Sequence, residues 1–186
     1  GYYPGSLPLS LKILFHPTTG KVWGAQAVGY DGVDKRIDVI SALIGMEGTV
    51  YDLAEFEHAY APPFSSAKDP INMVGFIGMN ALEGISNPIS WKEVNPLIEQ
   101  GAVVLDIRSE AETMTGGILP GSINIPHTAL RERIAEIPRG KPIVTMCAMG
   151  VRGYLAERIL RGNGFTEVYN LTGGLRSYTT AKSELA

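Results

Sequence analysis

The stretch Pro142-Ile143-Val144-Thr145-Met146-Cys147-Ala148-Met149-Gly150-Val151-Arg152-Gly153-Tyr154-Leu155 decides the fold of the second half of this 186-residue chain. Its first part is a short apolar run with β-branched residues, the pattern of a buried strand. Its last part leads into Leu155, Ile159 and Leu160, spaced as one face of a helix and closed by Gly162 and Gly164. Between them lies a tight loop that begins at the only cysteine and ends at Arg152. A loop joining a strand to a helix N-terminus turns backbone N–H groups toward its centre and aims the positive end of the helix dipole there. A thiolate at Cys147 would be stabilised by the dipole, by backbone amides from Ala148, Met149, Gly150, Val151 and Arg152, and by the Arg152 guanidinium. The stretch therefore reads as a nucleophile in an anion cradle. The plainer alternative is a small buried hydrophobe, the common role of a lone cysteine after a Val/Ile strand.

Outward from this stretch, strands and helices alternate from Ser90 onward, which predicts an α/β domain with a mostly parallel sheet flanked by helices. Ser90-Trp91-Lys92-Glu93 is a capping box that opens it. Residues 84–89 read as a linker, and residues 1–83 as a separate α+β domain. There, Leu9 to Phe15 and Lys21 to Val28 are strand-like and joined by Pro17-Thr18-Thr19-Gly20, a hairpin signal. Val33, Ile37, Ile40 and Ile44 form a helical stripe ended by Gly45 or Gly48. Thr49 opens a short helix with Asp52 placed to return the cap, and Asp69-Pro70 supplies an N-cap and a first-turn proline for another. That last helix is apolar nearly all round, which predicts burial on both sides at a subunit or domain interface. Gly75 and Gly78 would let a neighbour approach it closely.

Composition narrows the function classes. The chain is 45% hydrophobic and 19% charged with net charge −3, so no basic excess suggests nucleic acid. No apolar run approaches a membrane span and no signal-peptide pattern is present. A single cysteine excludes an internal disulfide and a cysteine-rich zinc site, and no metal site is expected. A reactive free thiol fits a reducing compartment, so the cytoplasm is the expected location. The chain opens at Gly1 and runs directly into strand-like sequence, which suggests a fragment.

Four residues separate Cys147 from Arg152, and this spacing resembles the active-site loop of the rhodanese family. Leu105-Asp106-Ile107-Arg108, Pro120-Gly121-Ser122-Ile123-Asn124-Ile125-Pro126 and Tyr169-Asn170-Leu171-Thr172-Gly173-Gly174 are similar to other motifs of that family, in the same order. Two departures lie away from the loop: Gly117-Ile118-Leu119 lacks a histidine found there in many members, and the interval between Asp106 and the Pro120-Gly121 step is longer by one residue. A phosphatase loop is the nearest competitor, but it is longer and forms a wider ring. Gly24-Ala25-Gln26-Ala27-Val28-Gly29, Asp34-Lys35-Arg36-Ile37-Asp38 and Tyr60-Ala61-Pro62-Pro63-Phe64 with Lys68-Asp69-Pro70 resemble the C-terminal dimerisation domain of flavin-dependent pyridine nucleotide-disulfide oxidoreductases. The likeness is to the NADH oxidase and coenzyme A-disulfide reductase branch, some members of which carry a C-terminal rhodanese domain.

These resemblances imply rhodanese-type sulfur transfer through a Cys147 persulfide, with Arg152 as its cation. They place it in a homodimeric enzyme, dimerised through residues 1–83, that reduces coenzyme A disulfides, persulfides or polysulfide with FAD and NAD(P)H. No glycine-rich dinucleotide fingerprint follows a strand and no second redox cysteine is present, so this chain is read as the C-terminal piece, unable alone to do the flavin chemistry. The alternative is a non-catalytic dimerisation and sulfur-carrier or docking module. Asp106 is expected to cap the following helix and orient the loop, and Arg108 to pair with it or help bind an anion. Tyr60, with Tyr2 or Tyr3, resembles tyrosines that reach the partner subunit's thiol site, the alternative being aromatic packing against the prolines. His16, in the hairpin turn, His58 and His127 have no companions at ligand spacing and read as structural or surface residues. Met149 and Val151 make the loop apolar, a better match to a persulfide or polysulfide than to thiosulfate.

Overall fold

The computed structural model describes residues 3–184, and the chain divides into two compact units, Gly1–Gly84 and Ile85–Ala186.

The first unit is α+β. Strands β1 (Leu9–Phe15) and β2 (Val22–Gly29) pair antiparallel, with Leu11 opposite Ala27. Helices α1 (Val33–Gly45), α2 (Val50–Glu55) and α3 (Pro70–Leu82) complete its core of Val22, Ile40, Leu43, Val50, Leu53 and Ile71. Thr49 and Asp52 form the expected capping box of α2, and Asp69 caps α3 with Pro70 in the first turn. The Asn72 amide donates to the carbonyls of Leu53, Ala54 and Phe56 at 2.9–3.2 Å, satisfying the carbonyls at the end of α2. The neighbour admitted by Gly75 and Gly78 is α2: a Cβ on Gly75 would sit 2.7 Å from Ala54 Cα, and one on Gly78 2.6 Å from Val50 Cγ1. Met73 and Ile77 of α3 are exposed in the single chain.

The second unit is α/β. Its five strands are β3 (Pro88–Ile89), β4 (Val103–Asp106), β5 (Ile123–Asn124), β6 (Ile143–Met146) and β7 (Val168–Leu171), all parallel in the order β3-β7-β6-β4-β5. Helices α4 (Trp91–Glu99), α5 (Glu110–Gly116), α6 (Val151–Gly162) and α7 (Gly174–Glu184) alternate with them. Side chains alternate across a strand, so β6 divides the core. Ile143 and Cys147 join Leu105, Ala156, Leu160 and Val168 on one face, while Val144 and Met146 join Val94, Leu171 and Tyr178 on the other. With both faces covered, the strands are near-continuous apolar runs rather than alternating ones.

Residues 84–89, read as a linker, carry structure of their own. Pro88–Ile89 pairs with β7, and the buried Glu157 carboxylate accepts the Asn87 N–H at 2.7 Å and the Ser86 hydroxyl. Of the expected face of α6, Leu160 is buried and Ile159 half-buried against the core, but Leu155 is exposed, and Gly153, Ala156 and Glu157 complete the buried face. At Gly153 the helix rides against the Asn170 side chain, leaving no room for a Cβ. This close approach sets which face of α6 is covered.

Candidate functional site

Cys147 follows the central strand β6, and its side chain is 2% exposed. The chain then turns through Ala148, Met149 and Gly150 into α6, with Gly150 at φ 121°, a backbone region that favours glycine. The Gly150 N–H donates to Cys147 Sγ at 3.0 Å, so the sulfur sits inside the turn rather than beside it. The loop's carbonyls are drawn the other way: Cys147 O accepts the Leu175 N–H at 2.8 Å and Ala148 O the Arg176 N–H at 3.2 Å, both from the start of α7. Gly174, at φ 60°, permits this, because a Cβ there would lie 2.7 Å from Ala148 C and overlap Cys147 O. Both carbonyls are thus engaged by α7, while the Gly150 N–H faces the sulfur. Val151, Arg152 and Gly153 form the first turn of α6, where N–H groups have no intrahelical acceptor. The arrangement can hold a sulfur anion and whatever sulfur is added to it.

Arg152 leaves the loop toward α5. Its guanidinium makes a bidentate pair with Glu112, 2.8 and 2.6 Å, each side chain 37% exposed. Glu112 is also the third residue of a capping box: its carboxylate accepts the Ser109 N–H at 3.0 Å and the Ser109 hydroxyl at 3.1 Å. Arg152 first, and the Ser109 N–H second, hold the Glu112 carboxyl at about 2, far below its ordinary 4.5. The same pairing raises Arg152 above its usual value. Neither Ser109 nor Glu112 was singled out in the sequence, although Ser109-Glu110-Ala111-Glu112 carries the S-x-x-E signature of a helix start.

Asp106 does not cap α5, which corrects the expectation. Ser109 does, and Asp106 instead accepts the Arg108 N–H at 3.1 Å and forms a buried bidentate pair with the Arg108 guanidinium, 3.0 and 2.6 Å. Arg108 reaches on to Gly117 O at 2.6 Å, and the Asn124 amide binds Asp106 O and Arg108 O. Arg108, buried in this way, holds the β4–α5 turn and so the position of Glu112. Met149 and Val151 project from the loop at 65% and 67% exposure, an apolar rim.

The remaining candidates lie elsewhere. Tyr3 and Tyr60 are exposed residues of the first unit, and Tyr2 falls outside the described residues. His16 Nδ1 accepts the Thr18 and Thr19 N–H groups at 3.1 Å each, a turn-forming role. His58 packs on Phe56 at 4.8 Å, and burial pushes its imidazole below the usual range. The His127 N–H pairs with Ile107 O beside the sheet.

The Gly173-Gly174 turn after β7 is filled by Ser177 and by the backbone of the Cys147 loop, so this turn leaves no room for a dinucleotide pyrophosphate.

Comparison with known proteins finds likenesses for both units. Residues 90–181 match the rhodanese-like domain, and residues 2–70 match the pyridine nucleotide-disulphide oxidoreductase dimerisation domain. The chain is 53% identical over 76 residues to a coenzyme A disulfide reductase of Staphylococcus epidermidis, a match covering 41% of this chain and 17% of that protein. It is 51% identical over 75 residues to the enzyme of the same name from Staphylococcus aureus, covering 40% and 17%. Among solved structures, it superposes with TM-score 0.94 on the reduced CoADR-RHD of Bacillus anthracis at 44% identity, covering 99% of this chain and 33% of that one. An NAD-dependent persulfide reductase from A. fulgidus superposes at 0.82 with 41% identity, covering 94% and 31%. The chain thus spans about a third of the solved chains it resembles, and its matches take in about a sixth of the curated relatives. It carries two domains of known families, a pyridine nucleotide-disulphide oxidoreductase dimerisation domain followed by a rhodanese-like domain.

Proposed function

We propose that this chain transfers sulfane sulfur through a persulfide on Cys147, within a longer reductase of coenzyme A disulfide, persulfide or polysulfide. The observation that carries the reading is Cys147 Sγ inside the turn at the N-terminus of α6, accepting the Gly150 N–H at 3.0 Å. In this mechanism the Cys147 thiolate attacks the outer sulfur of a persulfide or polysulfide and the donor departs as its thiolate. The loop amides and the dipole of α6 stabilise charge on the sulfur left on Cys147. A thiol acceptor, coenzyme A or a redox cysteine of the longer protein, then removes that sulfur and regenerates the Cys147 thiolate. FAD and NAD(P)H are assigned to other parts of that protein, as the dimerisation-domain match implies. The exposed apolar residues of α3 support homodimerisation through the first unit.

Intact mass of the chain after mixing with polysulfide, and again after excess thiol, tests the reading. One added sulfur atom that thiol discharges, absent in Cys147→Ala, is the expected result. Transfer that survives in Cys147→Ala overturns it. A Cys147 inert to both polysulfide and alkylation would favour the docking-module reading.

A further inference from the structure

We propose that Glu112 is a specificity-determining residue: by clamping Arg152 it cancels the only cation of the Cys147 loop, so the site accepts sulfur from organic persulfides and turns away the dianion thiosulfate. The inference rests on the reading of Cys147 as the sulfur acceptor. Glu112 is placed for this role by its own element. Ser109 anchors the carboxylate from the N-terminus of α5 at 3.0 and 3.1 Å, independently of Arg152, so the acid is fixed in position before it meets the guanidinium. Both guanidinium nitrogens that face it are then taken, at 2.8 and 2.6 Å. Beyond the pair the rim is Met149 and Val151, which offer no charge to an approaching anion.

For a persulfide R–S–SH, the Cys147 thiolate attacks the outer sulfur and the S–S bond breaks. R–S⁻ leaves with the electron pair, and Cys147–S–SH remains. For thiosulfate the same attack breaks the S–S bond and expels the sulfite dianion, leaving Cys147–S–S⁻. The second course brings two negative charges past a carboxylate and releases two, with the one guanidinium already engaged. Like-charge juxtaposition of this kind discriminates between donors without any steric filter.

The test compares single-turnover sulfur loading of the 186-residue chain, read by intact mass, from the persulfide of N-acetylcysteamine, whose carrier is uncharged, and from thiosulfate. Glu112→Gln keeps the size and the capping acceptor while removing the charge. The wild type should favour the persulfide, and Glu112→Gln should shrink that preference by about tenfold or more, chiefly through faster thiosulfate loading. Glu110→Gln removes an exposed charge from the same helical turn and should leave the preference unchanged. An unmoved ratio in Glu112→Gln, or an equal shift in Glu110→Gln, overturns the proposal. Salt gives the same answer without a substitution: screening should speed thiosulfate loading of the wild type more than persulfide loading, and the opposite trend overturns the proposal. Failure of the wild type to load from either donor overturns the Cys147 reading itself, a separate outcome.

Discussion

Glu112 serves two partners at once, the N-terminus of its own helix and the arginine that closes the Cys147 loop. Its carboxyl is depressed to about 2, so the stabilisation it gives is fully present above its ordinary value of 4.5 and is lost as pH falls through about 2. The pair is more than a third exposed, so water screens it and its contribution is about 0.2–1 kcal/mol. The urea midpoint of Glu112→Gln should therefore lie slightly below that of the wild type at pH 6, with the gap closing between about pH 4.5 and 2. A gap that persists at the acid end would remove the carboxylate as its cause. At this scale the sequence was legible where one residue type can do one job. The spacing that singled out Cys147, Gly150 and Arg152 does put them in one turn between β6 and α6. The partner of Arg152 was not legible, because forty positions separate it from Glu112 and only the fold brings them together. Asp106 was read as a cap because Asp often caps, but Arg108, two residues on, competes for it with a charged fork.

Among the elements, α2 and α3 meet at the least forgiving contact of the first unit. A Cβ on Gly75 would lie 2.7 Å from Ala54 Cα, and backbone cannot swing aside as a side chain can. Gly75→Ala should force the two helices apart and lower stability by about 1–3 kcal/mol. Gly45→Ala, at the end of α1 with nothing described within 4 Å of its Cβ, should stabilise by about 0.5–1 kcal/mol instead. Thermal melts of the two variants check the opposite signs, and equal shifts would rule out the contact as the cause. Element identity followed from periodicity and caps: the hairpin, α1, the capping boxes at Thr49 and Ser90 and the N-cap at Asp69 all lie where the sequence pattern puts them. The short strand Pro88–Ile89 escaped notice because two residues carry no period. It exists through the ladder offered by β7 and the anchoring of Ser86 and Asn87 on Glu157.

For the whole molecule, α3 ties local pattern to assembly. The helix is apolar on nearly every side, yet the single chain leaves Met73 and Ile77 at 44% and 53% exposure. In the proposed homodimer that face is covered, and Met73→Lys with Ile77→Lys should lower the mass in sedimentation velocity from dimer to monomer. A wild type that sediments as a monomer would dismiss the assembly. The sequence alone determined the two fold classes, the parallel sheet and the cysteine at the mouth of a strand-loop-helix. Each of these is written in local periods, caps and turn residues that act over a few positions. Only the tertiary structure decided what Arg152 holds, which face of α6 is buried, and how α7 draws the loop carbonyls away from the sulfur. Those are contacts between segments far apart in the chain, set by close approach at Gly153 and Gly174 and by charge pairing that no local pattern encodes.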